Sequence, residues 1–129
     1  VLSDFSHDLP DLVIYGTSVN TNFATQQPAA VKAYIKANLE VNRTIAADHA
    51  LLLHEAARLL DQDEDSLKPL VDRYFELNAW DQNGGLTAEK VAYNYDFLVS
   101  LGDFKVGLTT DQLADLSYLN AVLAEIGRK

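Results

Sequence analysis

The stretch from Trp80 to Gly102 constrains the fold more than any other. A periodic apolar run ends at Trp80, Asp81-Gln-Asn-Gly-Gly follows, and Thr87 stands ahead of a new run. Glycine carries no Cβ penalty in left-handed backbone, so Asn83, Gly84 and Gly85 suit the exit from one helix. Thr87 can cap the next helix with its hydroxyl, and Glu89 places negative charge in its first turn. Val91, Tyr95, Leu98, Val99 and Leu101 then recur near the helical period until Gly102 stops them. The pattern predicts two helices joined by a capped turn and carries no chemistry of its own.

Upstream, Leu12-Val-Ile-Tyr-Gly-Thr reads as a strand from about Leu12 to Thr17, dense in β-branched and aromatic residues. Pro10 sits just before it, where a missing N–H costs nothing. The unbroken apolar run Leu12–Tyr15 favours burial on both faces. No second stretch reads as a strand, so this one requires a pairing partner elsewhere.

The remaining pattern is helical. A helix begins near Pro28, with Val31, Tyr34, Ile35, Leu39, Asn42 and Ile45 at helical spacing. A break near Ala46–Ala47 lets Asp48 cap a second segment through Leu60. Four acids in five residues, Asp61 to Asp65, form a linker in which Asp63 or Asp65 caps a third helix over Ser66–Ala79. Pro69 falls near its first turn, and Leu70, Tyr74, Leu77 and Trp80 line its core face. Gly102 to Gly107 is a loop with Leu101 and Phe104 packed. Thr109 or Thr110 caps a short turn through Leu116. A last helix carries Leu119, Val122, Leu123 and Ile126 and closes at Gly127. The expectation is a single, mainly α domain over residues 1–129, with about six helices and one N-terminal strand.

Composition narrows the function classes. A net charge of −9, with ten scattered Lys and Arg, disfavours nucleic acid, which selects clustered basic residues. Without cysteine there is no disulfide, thiolate nucleophile or Cys-bound zinc. Apolar runs such as Ala50–Leu53 fall far short of the roughly 20 residues that span a bilayer. The chain starts at Val1 and contains no methionine, which points to a processed chain or a piece of a longer one.

Catalytic and metal patterns fail on spacing. His49 and His54 are five apart, not the three or four that share a helix face. His54-Glu55 lacks the second histidine of a zincin, since position 58 is Arg58. Asp81-Gln-Asn-Gly-Gly begins like a calcium loop, yet its sixth and twelfth positions are Leu86 and Ala92. Ser6-His7 adjacency is no triad. The sequence therefore predicts no enzyme, cofactor or metal. Tyr15, Thr17, Ser18 and Asn20 are the candidate ligand-binding positions. They place an aromatic ring, hydroxyls and an amide after the expected strand, the edge where ligands collect in α/β folds.

Four motifs carry a family resemblance: Leu9-Pro-Asp-Leu-Val-Ile-Tyr-Gly-Thr, Asn22-Phe-Ala-Thr-Gln-Gln-Pro-Ala-Ala-Val-Lys-Ala-Tyr, Trp80-Asp-Gln-Asn-Gly-Gly-Leu-Thr-Ala-Glu and Asp115-Leu-Ser-Tyr-Leu-Asn-Ala-Val-Leu-Ala-Glu-Ile-Gly. In order and spacing they resemble the C-terminal third of type II periplasmic substrate-binding proteins of ABC importers. The similar group is that serving nitrate, taurine, alkanesulfonates and thiamine-precursor pyrimidines. The resemblance implies the C-terminal part of an α/β periplasmic-binding-protein-like fold in the periplasm. It implies a non-catalytic role with importer subunits as partners, and a small polar ligand held only by the full-length protein. The first motif is similar to the return strand between lobes, which would supply the missing sheet. The alternative is a free-standing helical interaction module that forms a homodimer through Leu12–Tyr15.

Overall fold

The computed structural model describes residues 5–13 and 15–129. Its helices are α1 (Phe5–Asp8), α2 (Thr21–Gln26), α3 (Pro28–Ala47), α4 (His49–Leu60), α5 (Glu64–Glu76), α6 (Ala88–Ser100), α7 (Thr110–Leu113) and α8 (Ser117–Ile126). The fold is mainly α, as the periodicity predicts.

Local chemistry sets most boundaries. The Asn20 carboxamide accepts from the N–H groups of Asn22 and Phe23 and starts α2, a helix the pattern does not reveal. Pro28 opens α3, where its absent N–H has no intrahelical role. Asp48 accepts from the Leu51 N–H at 2.9 Å, confirming the expected break between α3 and α4. Asp63 is the cap of α5 and receives both the N–H and the hydroxyl of Ser66 at 2.8 Å. This helix starts at Glu64, two residues before the expected start, and ends at Glu76. Pro69 thus lies in its second turn, where it removes one ladder bond without ending the helix. Thr87 caps α6 through the Lys90 N–H, and Thr109 forms a capping box with Gln112 ahead of α7. That helix stops at Leu113 and not at Leu116.

The central packing is α3 against α8, where Leu39, Val122 and Leu123 are buried with Ile35, Leu119 and Ile126 around them. The Tyr118 hydroxyl donates to the Ala24 carbonyl and ties α8 to α2, which packs on α3. The α4–α5 pair forms a second packed unit with Leu67 and Val71 inside. This corrects the expected core face of α5. Leu70, Tyr74 and Leu77 lie to one side of the Leu67–Val71 stripe and stay 48%, 41% and 37% exposed, because α4 covers only that stripe. Leu101 and Phe104 are likewise exposed, although the Phe104 ring meets Tyr95 edge-on.

The expected strand is the main difference. Among the described residues of Leu12–Thr17 none is in a strand, and Ile14 lies outside the described residues. In place of a ladder, the Asn94 side chain of α6 accepts from the Val13 N–H at 2.8 Å and donates to the Asp11 carbonyl at 2.9 Å. A carboxamide has the same donor and acceptor as a peptide group, so it stands in for one rung of a neighbouring strand.

Candidate functional site

The four predicted ligand positions follow this anchored point. Tyr15 is 91% exposed. The Thr17 hydroxyl lies 3.3 Å from the Tyr34 hydroxyl on α3. Ser18 is exposed, and the Asn20 side chain is engaged in capping α2. The structure brings Thr17 to Tyr34 but does not gather the four around one cavity.

From Tyr15 to Val19 neither backbone N–H nor C=O groups bond to any other described residue. All five residues are exposed. The stretch offers peptide groups and β-favouring side chains, Tyr15, Thr17 and Val19, to whatever approaches it.

A concave feature lies elsewhere, a cleft of about 500 Å³ between the start of α6 and α8. Leu86, Leu116, Leu119 and Leu123 supply apolar lining, with Lys90 and Arg128 among its charged residues. Arg128 donates to Asn120 at 3.0 Å. Glu89, also at this cleft, is held below the usual carboxyl range, first by its own backbone N–H and then by Thr87. Its charge thereby serves the α6 N-terminus. A smaller hollow of about 60 Å³ is lined by Tyr74, Phe75 and Trp80, whose rings pack on one another at 5.3 Å and 6.0 Å.

The histidines are dispersed into separate pairs. His49 Nε2 lies 2.7 Å from Asp72 Oδ1, and His54 Nδ1 lies 3.2 Å from Glu64 Oε1, both between α4 and α5. His7 stands beside Asp8, and the Ser6 side chain lies outside the described residues. Among the described residues, no group of three or more His, Cys, Asp or Glu is placed to hold a metal ion. None of their helices is long and apolar enough to cross a membrane.

Three organising side chains escape sequence reading. Arg43 donates to the carbonyls of Gln82 at 3.0 Å and Gly127 at 2.6 Å, joining α3 to the glycine turn and to the end of α8. The Asn83 amide donates to the Lys129 carbonyl while its oxygen accepts the Lys129 N–H. Tyr95 donates to the Lys105 carbonyl and accepts from the Leu108 N–H, shaping the loop ahead of α7. Each is one polar residue on a turn or helix whose partner is remote or irregular, and spacing gives no signal for it.

No family model, curated protein or solved structure matches this chain.

Proposed function

We propose that the chain is the helical C-terminal portion of a solute-binding protein that delivers a small polar molecule to a bacterial ABC importer. In this reading it works in the periplasm without catalysing a reaction, and its helices pack behind the first of two α/β lobes. The observation that carries the proposal is surface area. A compact monomer of this mass, 14.3 kDa, exposes about 6,800 Å². This chain exposes 9305 Å². The surplus of about 2,500 Å² exceeds the roughly 800 Å² that one partner buries in a standard interface. Exposed large apolar side chains include Leu59, Leu60, Tyr34 and Val106. Such surface calls for a large covering body.

The four sequence motifs supply the identity of that body, a two-lobe solute receptor. Ligand contacts would then come largely from the lobes, with Tyr15, Thr17, Ser18 and Asn20 contributing hydrogen bonds and stacking at the margin. Importer subunits are the partners of the whole protein. Reading the coding region upstream of Val1 tests this. A two-lobe, strand-rich sequence in frame is expected, and an unrelated one overturns the proposal. Titration calorimetry of the chain alone with nitrate, taurine and an alkanesulfonate is expected to show no binding.

The rival reading, a free-standing module that dimerises through Leu12–Tyr15, draws on the same uncovered surface. The Asn94 contact disfavours it, because the backbone at Asp11 and Val13 is already bonded within the chain.

A further inference from the structure

Two charges of opposite sign line the cleft between α6 and α8 without an ion-pair partner. Asp81 and Lys90 are both half-buried there, yet neither pairs with the other or with any other described residue. Other cations of the chain are neutralised internally, Lys36 by Glu125 at 2.7 Å, Lys68 by Asp72 at 2.7 Å and Arg58 by Glu55 at 2.6 Å. The remaining charged residues of the cleft are engaged, Glu89 at the start of α6 and Arg128 with Asn120. Asp81 commits one oxygen, Oδ1, to the Asn83 N–H at 2.7 Å. Beside it Gly85 has no side chain, and a Cβ there would stand 3.9 Å from Oδ2, so that oxygen is open on the Gly85 side. Lys90 bonds to the described residues through its backbone alone, to Thr87 and Asn94. The apolar lining is aliphatic: Leu116, Leu119 and Leu123, spaced by three and four, share a face at α8, and Leu86 joins them from ahead of α6.

We infer that this cleft binds a free α-amino acid with a large aliphatic side chain, its ammonium on Asp81, its carboxylate on Lys90 and its side chain on the leucines. Covering a charge without pairing it is costly, and a zwitterion brings both missing partners in one molecule. A simple anion would leave Asp81 unpaired beneath it, and a simple amine would leave Lys90 so. An apolar helix laid in the cleft would bury both. The volume of about 500 Å³ falls within the roughly 300–1,000 Å³ of small-molecule sites, which combine apolar walls with a few placed polar groups. The inference goes beyond the function proposed above, in which the carried ligand is held by lobes outside this chain. Nitrate, taurine and alkanesulfonates do not fit this cleft, since none joins an ammonium, an anion and an aliphatic side chain.

The test is titration of the full chain with L-leucine and three analogues, followed by calorimetry and by amide chemical shifts. Isocaproate lacks the ammonium, isopentylamine lacks the carboxylate and glycine lacks the side chain. L-leucine is expected to saturate one site and to shift the amides of Asp81, Lys90 and Leu119. Each analogue should bind about tenfold more weakly or worse, as for one lost charged hydrogen bond or one side chain left unburied. Asp81→Asn keeps an acceptor for the Asn83 N–H, and Lys90→Gln removes no side-chain bond to a described residue, so both should retain the parent's helical circular dichroism. Asp81→Asn should weaken L-leucine about tenfold while leaving isocaproate unchanged, and Lys90→Gln should weaken L-leucine equally while leaving isopentylamine unchanged. A purely structural role for either residue would weaken all ligands alike. Should a variant fail to fold, the analogue series on the parent chain still decides. Absence of saturation by L-leucine in the millimolar range, equal binding of isocaproate, or shifts at another surface overturns the inference.

Discussion

Asn94 and Val13 meet across 81 residues of sequence through a 2.8 Å bond from the Val13 N–H to the Asn94 side-chain oxygen. The same carboxamide donates to Asp11 and to the Lys90 carbonyl, so one side chain fixes where the N-terminal segment lies on α6. Asn94→Ala removes the bond to Val13 and the bond to Asp11. Partial exposure lets water replace part of both, and the expected loss is about 1–2 kcal/mol. Denaturant unfolding measures the loss, and amide exchange at Val13 should accelerate while that at Val122 changes only with global stability.

The buried contact of α3 with α8 carries the largest single-residue effects. Leu39 is 2% exposed, and Leu39→Ala should cost about 2–5 kcal/mol through lost burial and the cavity left behind. Val106 is 85% exposed, and Val106→Ala should stay within about 0.5 kcal/mol of the parent. Urea midpoints of the two variants make the comparison.

Gly84 holds a backbone φ of +92°, and a Cβ there would stand 3.0 Å from Leu119 Cδ1 and 3.5 Å from Leu39 Cδ2. Gly84→Ala should destabilise by about 1–3 kcal/mol, because the left-handed strain adds to the crowding. Gly16 has nothing within 4 Å of such a Cβ, and Gly16→Ala should be neutral. Thermal melts of the pair check this.

Sequence made three helix starts legible through a local cap or an opening proline. Pro28, Asp48 and Thr87 each act within three or four residues, and each begins a helix at the predicted place. The phase of α5 was less legible, since Leu67, Leu70, Val71 and Tyr74 are all suitable apolar residues and only the position of α4 selects Leu67 and Val71. The strand over Leu12–Thr17 was expected from β propensity, which reflects a pleated, half-buried surface and not an intrinsic backbone preference. Asn94 meets Val13 from far along the chain, and nothing in its neighbourhood announces that role. The candidate ligand positions were legible as polar groups, but Asn20 serves a helix of only six residues that the pattern does not show.

Acid should weaken the fold through several carboxylates at once. Asp63, Asp115 and Glu125 are held below the usual carboxyl range, by bonds from Ser66, Ser117 and Lys36 respectively, and Asp72 by Lys68 and then His49. A carboxyl depressed in the folded state stabilises above its unfolded pKa of about 4, and the contribution is lost as pH falls through the folded value. Lys36 is raised by Glu125, so its share is complete below its ordinary value and is lost as pH rises through the folded one. The melting midpoint should hold from neutral pH to about 5 and then fall. The Glu125→Gln variant should show a shallower fall, and an unchanged profile would remove the Lys36 pair from the account.

Amide hydrogen exchange of the purified chain, followed over a range of protein concentration, tests the open segment Tyr15–Val19 most directly. The account predicts that Tyr15 to Val19 exchange at the rates of unstructured peptide at every concentration, while the amides of Leu39 and Val122 remain protected. Protection of Tyr15 to Val19 that is present throughout, or that grows with concentration, would mean the segment is already paired and would contradict it.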